Sequence, residues 1–271
     1  MSLYWSNNCH THLNKYRENC NGHKSKYKAT REGFEESFSS GNFYNKQTQD
    51  SEHLEQIMDF LPIKNGMKIL DLGAGSGYMS FPIAKRNASC KITGLDIVSN
   101  TLAANRVRAD KEGMCNLSFV CYDGIDFPFE GNSFDMVITR YALHHFPDIV
   151  QSISEVARVL KTGGTFFISD PCPNDCDYDR FVDEYMQLKK DGHIKFYTED
   201  EWRDICGKCA MELTSSFKSK IRFPKKKETA YGYEDVLKKH DRSVIDSYNL
   251  TETDTEIYIT EQVNNIMFVK K

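Results

Sequence analysis

The sequence has no apolar run near the ~18 residues that a membrane-spanning helix needs, and its mean hydropathy is −0.57. A spanning helix is therefore excluded. The opening residues, Met1 to Asn8, carry neither the basic nor the apolar segment of a secretory leader. Proline is scarce at 7 of 271 residues and glycine is ordinary at 16, which excludes collagenous and low-complexity chains. Positive charge is not in surplus either. The 35 Lys and Arg face 39 Asp and Glu, a net of −4 with pI about 6.1, so no global attraction for nucleic acid or an anionic membrane is expected. Nine cysteines, an odd number with no leader, favour reduced thiols over a disulfide framework. Together these absences predict a cytoplasmic protein, long enough for a substantial core.

Residues 1–48 are polar, rich in Asn, Ser, Lys and His, and read as a leader or lid carrying the aromatic pair Phe43-Tyr44. The spacing of Leu54, Ile57, Met58 and Leu61 predicts a helix over 51–61. From Met67 the pattern alternates. Strands are predicted at Ile69-Leu70, Ile92–Ile97, Leu117–Cys121, Phe134–Thr139 and Thr165–Ser169, the last after the turn Thr162-Gly163-Gly164. Helices lie between them. One spans Tyr78–Lys85, one is capped by Ser99 with Leu102, Ala103, Val107 and Ala109 inward, and one is capped by Asp148. Such alternation implies a parallel sheet with helices on both faces. After Pro171 the rhythm changes to helices at Tyr178–Lys190, at the capping box Thr198–Glu201 with Trp202 and Ile205 inward, and at Tyr233–Ile245. Strands at Met211–Ile221 and Glu256–Val269 complete the pattern.

The most informative stretch is Asp71-Leu72-Gly73-Ala74-Gly75-Ser76-Gly77, where a strand ends in glycines and runs into a helix. Glycines there let a ligand approach the backbone. A dinucleotide fold spaces its glycines Gly-x-Gly-x-x-Gly, which would put the third at position 78, but that residue is Tyr78. A phosphate-cradling loop would end in Gly-Lys-Ser/Thr, and the lysine is absent. Both nucleotide-phosphate readings weaken.

This loop resembles the signature of class I S-adenosylmethionine-dependent methyltransferases, and most of all their ubiquinone/menaquinone-biosynthesis-like (type 11) domains. The resemblance covers roughly 45–172. It implies an α/β, Rossmann-like, seven-stranded and mostly parallel sheet with helices on both faces and the last strand antiparallel. It also implies S-adenosyl-L-methionine as cofactor and a methyltransferase domain over 49–271, with a cofactor core to about 172 and acceptor-shaping elements beyond. Asp71, Gly73, Ala74, Gly75 and Gly77 then line the cofactor. Asp96, about 20 residues on, takes the ribose hydroxyls, with Ile97 beside it. Asp123, Gly124 and Ile125 meet the adenine, although Asp123-Gly124 is also a sound turn. Thr139 and Arg140 form the wall near the methionine moiety.

Methyl transfer needs alignment and exclusion of water more than acid–base machinery. Where a base is required, His144 and Tyr141 are the catalytic candidates, beyond the carboxyl edge of the sheet, with His145 behind them. No metal is expected, because Thr139-Arg140 leaves the first carboxylate place of metal-dependent relatives unfilled even if Asp170 serves the second. Cys172/Cys176 with Cys206/Cys209, and Cys9-His10/Cys20-His23, are rival zinc patterns; cysteines on a helix face with Trp202 pack more often than they ligate. The basic stretch Lys218, Lys220, Arg222, Lys225, Lys226 and Lys227 reads as a solvated face or, more sharply, an RNA or phosphate site. The reading is methylation of a small-molecule acceptor with no membrane or nucleic acid. The alternatives are a cofactor-binding module without acceptor chemistry, an RNA or metalloid substrate, or a nucleotide-phosphate or hydride enzyme.

Overall fold

The run Lys68–Leu72 forms β1, in which every residue after Lys68 is buried. A strand covered on both faces reads as a continuous apolar run and takes parallel neighbours. β1 accordingly pairs in parallel with β2 (Lys91–Asp96) and β4 (Phe134–Arg140). Outside them lie β3 (Leu117–Cys121) and β5 (Leu160–Cys172), also parallel. A computed structural model describes residues 31, 35, 51–188, 192–227 and 230–271. The expected leader motifs, including Cys9, Cys20 and Phe43-Tyr44, lie outside the described residues.

The full order is β3-β2-β1-β4-β5-β8-β6. β8 (Glu256–Lys270) runs antiparallel between β5 and β6 (Met211–Lys226). The seven-strand expectation with an antiparallel last strand describes this path, and a two-residue strand, β7 (Thr251–Glu252), adds an eighth beside β8. The turn at 162–164 lies inside β5, where the register against β4 jumps between Phe134 and Met136.

Helices α1 (Ser51–Phe60), α2 (Ser80–Arg86) and α3 (Ser99–Lys111) bury Ile57, Ile83 and Leu102 against Ile69, Ile92, Met136 and Phe167. On the opposite face α4 (Ile149–Val159) and α6 (Glu199–Gly207) bury Val156 and Trp202 against Leu70, Val137 and Phe268. A third cluster joins α5 (Phe181–Gln187), α7 (Tyr233–Lys239) and α8 (Arg242–Ser247) to Ile257 and Ile259 of β8.

Several local expectations are corrected. Ser99 is the first residue of α3, not its cap; Val98 holds that place without a side-chain bond. Ala103 and Val107 face solvent, and Asn105 takes the inward position between Leu102 and Ala109. That face needs a polar residue because it meets the glycine loop, as described below. The single helix expected over 233–245 is two, broken where Asp241 caps α8 through the Ser243 N–H. The helix expected from Tyr178 begins at Phe181, because the Asp177 carboxylate accepts the N–H groups of Phe181 and Val182. The caps at Asp148 and the box at Thr198–Glu201 form as expected.

Candidate active site

Three strand ends, those of β1, β2 and β4, meet beneath the glycine loop. Gly73, Gly75 and Gly77 all have positive φ, at 71°, 48° and 78°, the left-handed region that suits glycine. The loop is stitched to β2, since the N–H groups of Gly73 and Ala74 both donate to the Leu95 carbonyl, at 2.8 and 3.1 Å. A Cβ on Gly73 would stand 2.4 Å from the Cβ of Ala142, just past β4. The second glycine is held from both sides. Its N–H donates to Asp96 Oδ2 at 2.8 Å, and its carbonyl accepts from Asn105 Nδ2 at 2.7 Å. The sequence signal for Asn105 is its place three residues after Leu102 and four before Ala109, on the buried face of α3.

Asp71 lies buried under this loop, where its carboxylate accepts the Ser80 hydroxyl at the start of α2. Burial pushes its carboxyl up to about 7, with the Ser80 bond opposing. Asp96 is buried at the end of β2, and its other oxygen accepts the Val98 N–H at 2.9 Å. Burial raises this carboxyl as well, against the N–H groups it accepts. The backbone N–H of Tyr122 reaches the Asp96 carbonyl at 3.2 Å, so the segment after β3 lies alongside. There Asp123 is exposed and folds back on its own turn, accepting the Ile125 N–H at 3.0 Å. Gly124 is buried, while Ile97 and Ile125 are half-buried.

Thr139 and Arg140 end β4. The Thr139 side chain is buried, and its hydroxyl has no hydrogen-bond partner among the described residues. The Arg140 guanidinium carbon lies 4.0 Å from the centroid of the Tyr78 ring and 3.9 Å from that of the Tyr141 ring. Tyr141 itself has φ 52°, uncommon for a residue with a side chain. Burial pushes its phenol above the ordinary range, with Arg140 opposing. Its hydroxyl faces His53 Nδ1 of α1 at 3.3 Å. The sequence reading missed His53, although it sits four residues before Ile57 on the inward face of that helix.

The other candidate, His144, lies in a single turn, Leu143–His145, just beyond the sheet. Its Nδ1 meets Asp170 Oδ1 at 2.9 Å, and its carbonyl accepts the N–H groups of Ile194 and Lys195. The rings of His145 and His193 pack beside it at 4.1 and 5.5 Å. Burial pushes Asp170 up to about 8, with the His145 and His193 imidazoles opposing. His193 in turn meets Asp183 at 2.9 Å. The two side chains thus have different partners: His144 meets Asp170 of β5, and the Tyr141 hydroxyl meets His53 of α1.

The rival clusters separate. Cys206 is buried in the core beside Trp202, Cys209 packs against the same cluster, and Cys176 is exposed. Among the described residues no group of three or more His, Cys, Asp or Glu is placed to hold a metal ion. The basic stretch lies along β6, where Lys225 is buried and Lys218 pairs with Asp175, and ends just past it at Lys227, which pairs with Glu252.

Residues 63–216, more than half of the chain, match the family described as a methyltransferase domain. The chain belongs to the methyltransferase domain family. The cofactor of this family is S-adenosylmethionine. The domain is 32% identical over 137 residues to an uncharacterized methyltransferase, YcgJ, of Bacillus subtilis, a match covering 50% of this chain and 53% of that protein. It is 33% identical over 111 residues to a demethylmenaquinone methyltransferase of Staphylococcus aureus, covering 41% and 45%. The chain therefore spans about half the length of the curated relatives it matches. The crystal structure of YcgJ superposes with TM-score 0.68 at 22% identity, over 82% of this chain and 99% of that one. The shared fold places the glycine loop of the methyltransferase domain at the carboxyl ends of the parallel strands, where open α/β sheets bind ligands.

Proposed function

We propose that the chain transfers the methyl group of S-adenosylmethionine to a small-molecule acceptor. The observation that carries this reading is the Asp96 carboxylate, fixed beside Gly75 at the end of β2. Its oxygens accept the Gly75 and Val98 N–H groups, with the Ile97 N–H also on the carboxylate, and the acceptor capacity that remains is assigned to the ribose hydroxyls. Gly73, Ala74, Gly75 and Gly77 let the backbone face the cofactor, and Asp71 holds the loop from beneath through Ser80. Ile97, Gly124 and Ile125 are assigned to the adenine. Asp123, whose Oδ1 accepts the Ile125 and Asp126 N–H groups, would hold the adenine amino group. Thr139 and Arg140 are assigned to the methionine end, supported by the buried Thr139 hydroxyl, since such groups in native structures have partners. These residues fit the cofactor.

When bound, S-adenosylmethionine supplies an electrophilic methyl group on a sulfonium whose leaving group is a neutral thioether. The work left to the chain is to align the acceptor and exclude water. Of the two proton-handling candidates, Tyr141 stacks on Arg140 of the cofactor wall, whereas the Nδ1 of His144 is committed to Asp170. A small acceptor is supported by the pairing of three cations of the basic stretch with the protein's own groups. Lys218 meets Asp175, Arg222 the hydroxyls of Thr251 and Thr260, and Lys227 Glu252. A relative acting on demethylmenaquinone supports it too. A cytoplasmic setting is supported by free thiols at every described cysteine. Among the described residues, no helix is long and apolar enough to cross a membrane.

Calorimetric titration tests the reading. Micromolar binding of S-adenosylmethionine, lost in Asp96→Ala, is expected; binding of NAD in its place overturns it. Release of S-adenosylhomocysteine on adding a metabolite extract then separates an enzyme from a module that only binds the cofactor.

A further inference from the structure

Four flat groups lie close together between the glycine loop and the first helix. The Arg140 guanidinium carbon lies 4.0 Å from the centroid of the Tyr78 ring and 3.9 Å from that of the Tyr141 ring. The His53 ring follows Tyr141, with centroids 6.0 Å apart and planes within 27°. Tyr141, in the middle, holds the positive φ already noted, and such strain in a residue with a side chain gathers at ligand sites.

At the far end, the His53 ring meets the Asn265 amide and the Ser219 hydroxyl. Asn265 Nδ2 donates to the Val263 carbonyl at 3.4 Å and to Ser219 Oγ at 2.9 Å. Its Oδ1, 3.1 Å from His53 Nε2, is therefore an acceptor. Ser219 Oγ lies 3.0 Å from the same nitrogen. Because the Asn265 oxygen has only lone pairs to offer, neutral His53 carries its proton on Nε2, shared between Asn265 Oδ1 and Ser219 Oγ, and accepts at Nδ1. The Tyr141 hydroxyl, 3.3 Å from that Nδ1, donates to it, so its oxygen is left to accept a hydrogen bond from a ligand.

We propose that Tyr141 and His53 form a subsite for a hydroxyl group of the methyl acceptor, a phenol or an enol, and that His53 receives its proton. This rests on the methyl-transfer reading above. The O–H bond of the acceptor breaks as its proton passes to the Tyr141 oxygen, and Tyr141's own proton passes to His53 Nδ1. The acceptor becomes an oxyanion and His53 an imidazolium, so charge is conserved. Both imidazolium protons have acceptors, the Tyr141 oxygen and Asn265 Oδ1. Arg140, whose guanidinium carbon lies 3.9 Å from the Tyr141 ring centroid, favours the oxyanion and disfavours an ammonium acceptor. Tyr141 touches the acceptor; His53 positions Tyr141 and holds the proton.

The probe is 4-nitrophenol, whose phenolate absorbs visible light, added to the full chain saturated with S-adenosylhomocysteine. A saturable phenolate band is expected, with a phenolate-to-phenol ratio about tenfold that of the free phenol at the same pH, a displacement of about one pKa unit. Tyr141→Phe and His53→Gln should each lose that excess while calorimetric binding of S-adenosylhomocysteine is unchanged. Glutamine keeps a hydrogen-bond acceptor for Tyr141 but cannot take the proton, so a merely structural role for His53 would leave the band in place. No band in the natural chain, or an undiminished band in His53→Gln, overturns the subsite. Failure of the natural chain to bind S-adenosylhomocysteine overturns the methyl-transfer reading instead.

Discussion

The Asp96 carboxylate accepts the backbone N–H of Gly75 at 2.8 Å, tying the end of β2 to the middle of the loop that leaves β1. One side chain thereby sets the loop's shape and presents the remaining lone pairs of a buried carboxylate to whatever enters.

Replacing Asp96 with Asn keeps the shape and removes the charge. Its amide nitrogen would face a backbone N–H, and one acceptor for a ribose hydroxyl would be lost. Loss of a hydrogen bond to a charged group is worth about 1.5–3 kcal/mol, so S-adenosylmethionine should bind roughly 10- to 100-fold more weakly by calorimetry. An unchanged affinity would remove Asp96 from the ribose site.

Gly73→Ala tests the close approach of the loop to β4. The new Cβ would stand 2.4 Å from the Ala142 Cβ, at a φ of 71°. Gly66 has a similar φ of 79° with nothing within 4 Å. Gly66→Ala should therefore cost only the backbone strain, about 1–2 kcal/mol. Gly73→Ala should cost about 1–3 kcal/mol more, from overpacking. Urea midpoints of the two variants, measured side by side, check the difference.

Asp170 makes stability fall as pH rises. Burial holds its carboxyl at about 8 in the folded chain, so the folded state keeps a proton that the unfolded chain releases above the ordinary carboxylate range. Stability is then lost progressively from about pH 4 to pH 8, at up to about 1.4 kcal/mol per pH unit from this group. Asp71, pushed up to about 7, adds a slope of the same sign that ends about one unit lower. Asp170→Asn should flatten the profile above pH 7, read from denaturation midpoints across pH. An undiminished slope there would assign the effect to other groups.

Asn105→Leu should cost about 1–3 kcal/mol of stability, because the Gly75 carbonyl loses its 2.7 Å donor within a part-buried site. Cofactor affinity should fall with it, since that carbonyl belongs to the same peptide chain that Asp96 grips. A thermal melt together with a binding titration measures both.

Local chemistry alone sufficed for the capping box at Thr198–Glu201 and the cap at Asp148, because each is made by residues three apart on one helix. It failed at α3. There Val107 satisfies helical spacing yet is 69% exposed, while Asn105 is 5% exposed. The choice between them depends on Gly75, 30 positions away, and hydrophobic spacing holds no information about that partner. The break between α7 and α8 was hidden because Asp241 closes a cap inside an otherwise continuous apolar pattern.

The sequence by itself determined the strand–helix alternation, the parallel sheet, and the glycine loop followed about 20 residues later by Asp96. These depend on periodicity, on backbone freedom at glycine and on short chain separations. Only the tertiary structure decided which polar side chains meet at the sheet's edge. His53 reaches Asn265 across 212 residues and Tyr141 across 88, and His144 finds Asp170 on a neighbouring strand. Such pairs are set by sheet order and by the insertion of β8 between β5 and β6. Strand order is a property of the packed chain and leaves no local mark in the residues that it brings together.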